Sequence, residues 1–297
     1  MSPYNKREWN PDSWEPLWEK KRIAREIIKG IIFEHLDVRA RSELAGLDGI
    51  EEKVAGALLH PKPLDISMPV FNAVLAAQYY EVFEALSLPR AMAVYEPCVG
   101  ASSPVIVAAD AFSDGQAQYL TMNLNRKLRE QLEIKITHCK MSVRIIEENA
   151  QQAFRFLAPG SFDVACFHHA VNDILQTAVS EPRGMDTTAI DWFPNERRMI
   201  EWLAEDSEAG LLEQRGKPEL MQIIQDASRL VRPGGFLLFD HWNWCKFIGV
   251  DWFPWDLFYH LIPMIRTWIA ESGWPLTEVA LEGIDPQWWM ILQVGES

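Results

Sequence analysis

The sequence predicts an α/β protein built on a mostly parallel sheet. Three observations carry that expectation. From residue 91 onward, short apolar runs alternate with helical stretches, the spacing of right-handed βαβ units. Two of the runs, VACF and FLLF, are apolar without interruption, as strands buried on both faces are. The last two runs, TEVALEGI and QWWMILQV, are joined through Asp285-Pro286 with no room for a crossover helix, which makes them an antiparallel hairpin.

In chain order, AMAVYEPCVG reads as the first strand and SSPVIVAADAF as the helix that follows. QAQYLTMNLN is the second strand, with the helix NRKLREQL after it. LEIKITHCKM is read as the third strand and RIIEENAQQAFRFL as its helix. SFDVACFHH and GGFLLFDHW are the fourth and fifth, and the terminal hairpin supplies the sixth and seventh.

Residues 1–90 read as a helical cap. Ile23, Ile27 and Ile31 fall four apart, as do Ile28 and Ile32, giving a helix over 17–34. A second helix is expected over 40–59, before Pro61 and Pro63, and a third from Pro69 to Leu88. The sheet domain then covers 91–297. One stretch breaks its alternation: residues 176–216 separate the fourth strand from the helix leading into the fifth. Trp192, Phe193 and Trp202 mark it as a packed lid with a helix of its own over 195–206.

Bulk properties narrow the function. The chain has 297 residues, 48% of them hydrophobic, enough for a sizeable core. No run approaches the roughly 20 apolar residues of a membrane helix, and the start lacks a secretory signal, so the chain reads as cytoplasmic. The four cysteines form no C-x-x-C pair, which argues against zinc ligation and a disulfide framework, and no metal site is expected. A net charge of −14 opposes phosphate backbones and favours a small-molecule substrate over nucleic acid. The first thirty residues, with seven Lys or Arg against five Asp or Glu, are the exception. Oligomeric state is left open, a homodimer included.

The most informative segment is VYEPCVGASSP. A strand runs into a turn with Glu96, Cys98, Gly100 and Ser102 at alternate positions, and a helix begins. Gly100 lets the backbone approach a ligand closely. Ser102 or Ser103 can cap the helix, with Pro104 in its first turn. The dinucleotide fingerprint G-x-G-x-x-G is absent.

The segment resembles motif I of the class I, Rossmann-like methyltransferases that use S-adenosylmethionine, with E-x-C-x-G-x-S in place of the usual acid and three glycines. LVRPGGFLLFD resembles that family's approach to its fifth strand, SFDVACFHHAVNDI its fourth-strand motif, and the terminal hairpin its last two strands. The resemblance covers about two-thirds of the chain. It implies a seven-stranded sheet and an S-adenosylmethionine cofactor held by Glu96, Cys98, Gly100 and Ser102, with Glu96 reaching its amino group. Where the family has an acid for the ribose, this chain offers Asn123, or Thr121 if the register moves by two. Adenine is expected near Met141 and Ser142.

Ligands of open α/β sheets bind at the carboxyl ends of the strands. The fourth strand ends in His168, His169, Asn172 and Asp173, and the fifth in Asp240, His241, Trp242, Asn243 and Trp244. His169 or His241 is expected as the base that takes the acceptor's proton, Asp173 as the group orienting an imidazole or the acceptor, and His168 as a neighbour of the cofactor. Asn172, Trp242 and Trp244 would wall the acceptor. The reading that follows is methyl transfer to oxygen or nitrogen of a small organic molecule. An inactive methyltransferase-like binding protein, or a methyltransferase acting on RNA or protein through the basic first helix, are the alternatives.

Overall fold

A computed structural model describes residues 32, 35, 36, 38, 41, 42, 68–101, 103–241, 250–282 and 284–296. The helices expected over 17–34 and 40–59 fall outside the described residues, apart from isolated positions. The third expected helix is present as α1 (Met68–Ala85).

The sheet has seven strands: β1 (Ala93–Pro97), β2 (Gln118–Met122), β3 (Ser142–Ile146), β4 (Phe162–His168), β5 (Val231–Asp240), β6 (Leu276–Glu278) and β7 (Trp289–Val294). Their order is β3-β2-β1-β4-β5-β7-β6. β3, β2, β1, β4 and β5 are mutually parallel, and β7 pairs antiparallel with both β5 and β6. The terminal hairpin is therefore present. β6 is short, so the link is longer than Asp285-Pro286 alone, and it holds no helix.

Six longer helices follow among the described residues, α2 (Pro104–Ser113), α3 (Arg126–Lys135), α4 (Ala170–Ser180), α5 (Trp192–Glu208), α6 (Lys217–Leu230) and α7 (Trp255–Ser272), with a single helical turn at Leu212–Arg215 between α5 and α6. The period of two along each strand divides the core. Val94, Val164, Cys166 and Leu238 pack on one side with Tyr79 and Phe83 of α1 and Val105 and Ala109 of α2. Tyr95, Ala165, Phe167, Leu237 and Phe239 pack on the other with Leu175 of α4, Ile224 of α6 and Ile265 of α7. Phe167 and Phe239 stack at 4.4 Å at the centre of that side. α1 shares the core of the sheet's first face, so this helix belongs to the same packing unit as the sheet.

Two motif residues are explained by the closed end of the sheet. Asp163, at the start of β4, accepts from the Ala93 N–H at 2.7 Å and pairs with Arg232 at 2.6 Å, tying β1, β4 and β5 together at their amino ends. A Cβ on Gly235 would come within 2.5 Å of the Asp163 carbonyl oxygen, which is why the Pro-Gly-Gly turn needs a glycine there.

The third strand lies later than its apolar pattern suggests. Residues 126–135 are helical, a three-ten turn covers Ile136–His138, and β3 begins at Ser142. The helical stripe of buried Leu128 and Leu132 continues to Ile136 and overrides the I-x-I alternation. β3 is an edge strand with only Ile146 fully buried, so its own apolar signal is weak. The helix expected over RIIEENAQQAFRFL is reduced to the three-ten segment Ala150–Arg155.

The segment 176–216 is packed. Its expected helix is α5, whose Ile200 and Leu203 join the second core. Asp206 fastens it: buried at 1% exposure, it accepts from Arg183 at 2.7 and 3.1 Å and from Arg215 at 2.8 Å.

Candidate active site

The turn after β1 is built from local rules. Cys98 and Gly100 both take left-handed backbone angles, φ 60° and 66°. A side chain on Gly100 would meet no protein atom within 4 Å, so this stretch of backbone faces open space. Ser103 is the N-cap of α2, accepting from the Val105 N–H at 3.0 Å, with Pro104 at the first position. Cys98 N–H donates to the Met122 carbonyl, and the Asn123 amide donates to the Gly100 carbonyl at 2.7 Å. The ends of β1 and β2 are thereby held in one piece.

An open cleft lies against this turn, with about 550 Å³ of space that is partly open to solvent. Cys98 and Gly100 line it from β1, Asn123 and Asn125 from β2, and Glu148 and Asn149 from β3. Asp173 and Thr177 of α4, Trp192 of α5 and Glu219 of α6 complete the wall. Asn125 joins the walls: it caps α3 by accepting from Leu128 N–H at 3.0 Å, and its amide donates to the carbonyls of Thr187 and Ile190 in the insertion. Trp192 and Met199 pack with Ala101 and Leu128, which places the insertion beside the motif turn.

The cleft is acidic. Burial pushes the Asp173 carboxyl well above the usual carboxylate range, with Glu196 adding to it, and pushes Glu219 to about 6. Burial also drives the Cys98 thiol up, so it is a neutral small side chain there.

Beside the cleft, at the ends of β1, β4 and β5, a second group of polar side chains is buried. Glu96 is fully buried and accepts from Ser103 Oγ at 2.8 and 2.9 Å and from the Tyr119 hydroxyl. Burial raises its carboxyl to about 7, against the opposing pull of His168 and the two hydroxyls. His168 Nδ1 lies 2.7 Å from Asp240 Oδ2, and the Tyr79 hydroxyl donates to that same oxygen. Burial works against a charged imidazole at His168, but the Asp240 carboxylate outweighs it and the net shift is upward.

His241 behaves oppositely. Burial pushes it down to about 4, so it is neutral at neutral pH. Its Nε2 is 2.9 Å from Asn172 Oδ1, and the Asn172 amide donates to Asp173 at 2.6 Å. His169 caps α4 with φ 58° and stands between the other two rings, 5.8 Å from His168 and 5.3 Å from His241.

The expected site residues thus separate into groups. Cys98, Gly100, Asn123 and Asp173 line the cleft. His168, His169, Asn172 and His241 gather at the ends of β4 and β5. Glu96 is sealed behind the turn by Ser103 and Tyr119, in place of the expected reach toward a ligand. Thr121 is buried within β2. Met141 and Ser142 sit at the amino end of β3, across the sheet from the cleft, where Met141 N–H donates to Asp110 at 2.7 Å. The later start of β3 moves them there, and Glu148 and Asn149 take the place expected of them. Ser102, Trp242 and Trp244 lie outside the described residues. Sequence reasoning missed Glu148, Glu219 and the Tyr79 and Tyr119 hydroxyls. The E-E-N run directly after the S-V-R-I-I alternation was the available signal for the first.

The strand order, the antiparallel β7 and the turn after β1 give the chain the class I methyltransferase fold. No protein-family model matches the sequence, and no curated protein matches it. Among solved structures it is similar to SAH-bound PaMTH1, a methyltransferase of Podospora anserina, at 10% identity and TM-score 0.47, over 100% of this chain and 99% of that one. It is similar to cofactor-bound Rv0187 from MTB at 15% identity and TM-score 0.43, over 88% and 97% of the two chains. For PH0851 the values are 11% and 0.44, over 73% of this chain and only 45% of that one. Among the described residues no helix is long and apolar enough to cross a membrane.

Proposed function

We propose that the protein is an S-adenosylmethionine-dependent methyltransferase acting on oxygen or nitrogen of a small organic molecule. The observation that carries this reading is the acidic cleft against the Cys98–Gly100 turn, at the carboxyl ends of β1, β2 and β3, with an imidazole cluster alongside it at the ends of β4 and β5.

The residues present suit the cofactor. A bare backbone at Gly100 admits close approach, and Asp173, Glu148 and Glu219 suit a ligand carrying ammonium and sulfonium charge. Asn123 donates one amide hydrogen to Gly100, and its oxygen would accept from a ribose hydroxyl. Glu148 and Asn149 would stand at the base. The cofactor supplies an electrophilic methyl group, so the protein's task is to align the acceptor and take its proton. His241 is a poor base: it is neutral, of low basicity, and bonded to Asn172. It serves with Asn172 and Asp173 as an orienting chain, which leaves His168 and His169 for the proton. A charge of −14 opposes a nucleic-acid acceptor.

Calorimetry and thermal melts with S-adenosylmethionine and its demethylated product test the reading. A ligand at a hundred times its Kd stabilises the fold by about 2.7 kcal/mol, a rise of several degrees in Tm. No heat and no shift at millimolar concentration would sink it and favour a protein that keeps the fold without the ligand.

A further inference from the structure

Four neighbouring strands and one helix converge on a single buried row. Tyr119 stands on β2, Glu96 on β1, His168 on β4 and Asp240 on β5, and Tyr79 of α1 closes it. Asp240, Glu96, Tyr79 and Tyr119 are all essentially without solvent exposure. Asp240 Oδ2 receives two hydrogen bonds, from His168 and from Tyr79, while Oδ1 receives none from the described residues. A carboxylate only accepts, so the imidazole nitrogen facing it, Nδ1, must carry hydrogen. The groups facing His168 are Asp240 on β5, Glu96 on β1, Tyr79 on α1, Cys166 on its own strand face, His169 beside it and His241 beyond β5.

Resting on the methyltransferase reading for its purpose, we infer that Asp240 and Tyr79 are positioning residues that hold His168 as the Nδ1–H tautomer, leaving its Nε2 to take the acceptor's proton. The logic is that of an imidazole oriented by a buried carboxylate. The proton leaves the acceptor's oxygen or nitrogen for Nε2 as the new bond to carbon forms, and Asp240 balances the imidazolium charge. Tyr79 tempers the pair by sharing Oδ2, so the carboxylate is not wholly committed to His168. His241 instead bonds through Nε2 to Asn172, and His169 stands at the N-cap position of α4 without a side-chain cap bond.

The test is nitrogen NMR of the ligand-free protein labelled at histidine, with His168→Gln assigning the resonance. Wild-type His168 is expected as the Nδ1–H tautomer when neutral. Asp240→Asn keeps an acceptor but removes the charge, so His168 should titrate about one pH unit or more lower. Tyr79→Phe frees Oδ2 for His168 alone, so the same ring should titrate higher. A ring held by packing alone, with no charge coupling to Asp240, would not move in opposite directions in the two variants. An Nε2–H tautomer, or shifts of one sign or none in the two variants, overturns the inference. Calorimetry with S-adenosylmethionine on the same wild-type sample reports the methyltransferase reading separately, since the tautomer is measured without it.

Discussion

The Asn123 side-chain amide donates to the Gly100 carbonyl oxygen at 2.7 Å, joining the end of β2 to the turn after β1. This is the position where an acid would be expected to meet a ribose, and here one half of the side chain is already committed to the protein. Asn123→Ala removes both the tie and the acceptor. Stability should fall by about 1 kcal/mol and affinity for S-adenosylmethionine by about tenfold. Thermal melts and calorimetry read the two losses separately, and unchanged affinity would count against the role given to the oxygen.

Two buried groups give opposite pH dependences. Glu96 titrates near 7 in the folded chain, above its ordinary value. Its contribution is complete below about 4.3 and is lost as pH rises through 7. His241 is lowered to about 4, so its contribution is complete above about 6.5 and is lost as pH falls through 4. Each amounts to about 3 kcal/mol, and between pH 7 and 4 they offset one another. Glu96→Gln removes the compensation. Urea unfolding of that variant should show stability falling more steeply from pH 7 to 4 than in the wild type.

Asp206 anchors the insertion through Arg183 and Arg215. The Arg183 hydrogen bonds hold its carboxyl below the usual range. Asp206→Asn should cost about 2 kcal/mol at pH 7, since hydrogen bonds to charged groups are at stake and the arginines keep some solvent. The loss should begin to shrink below about pH 3.9, where the carboxyl of the unfolded chain takes up protons, and disappear once the native carboxyl, which titrates lower, is protonated as well. A pH-independent difference would point to packing instead.

His169 holds φ 58° without being glycine. The left-handed region costs an ordinary L-residue about 1 kcal/mol. His169→Gly should therefore melt above His169→Ala by about that amount, although both remove the ring. Equal melting temperatures would show that the turn relaxes when the imidazole is gone.

Much of the fold was legible because its signals were local. The alternation of runs, the Ser103 cap with Pro104, and the terminal hairpin each need only neighbouring residues. β3 was misplaced because its competitor was equally local: the Leu128–Leu132 stripe continues through Ile136, and an edge strand offers little apolar pattern of its own. The positions of Met141 and Ser142, at the amino end of β3, follow from its later start. The candidate site was legible as a set of strand ends, and His168, His169 and Asp173 do stand there. Its internal wiring was not, because Tyr79 and Asp240 lie 161 positions apart in the sequence and meet only once the sheet is assembled.

The acidic wall formed by Asp173, Glu148 and Glu219 has a consequence for turnover under the proposed function. Methyl transfer discharges the sulfonium, so the spent cofactor leaves with one positive charge fewer than the reactant brought in. A cleft whose carboxyls ionise to meet that charge grips the reactant more firmly than the product. The electrical asymmetry of the reaction would then help clear the site for the next cycle.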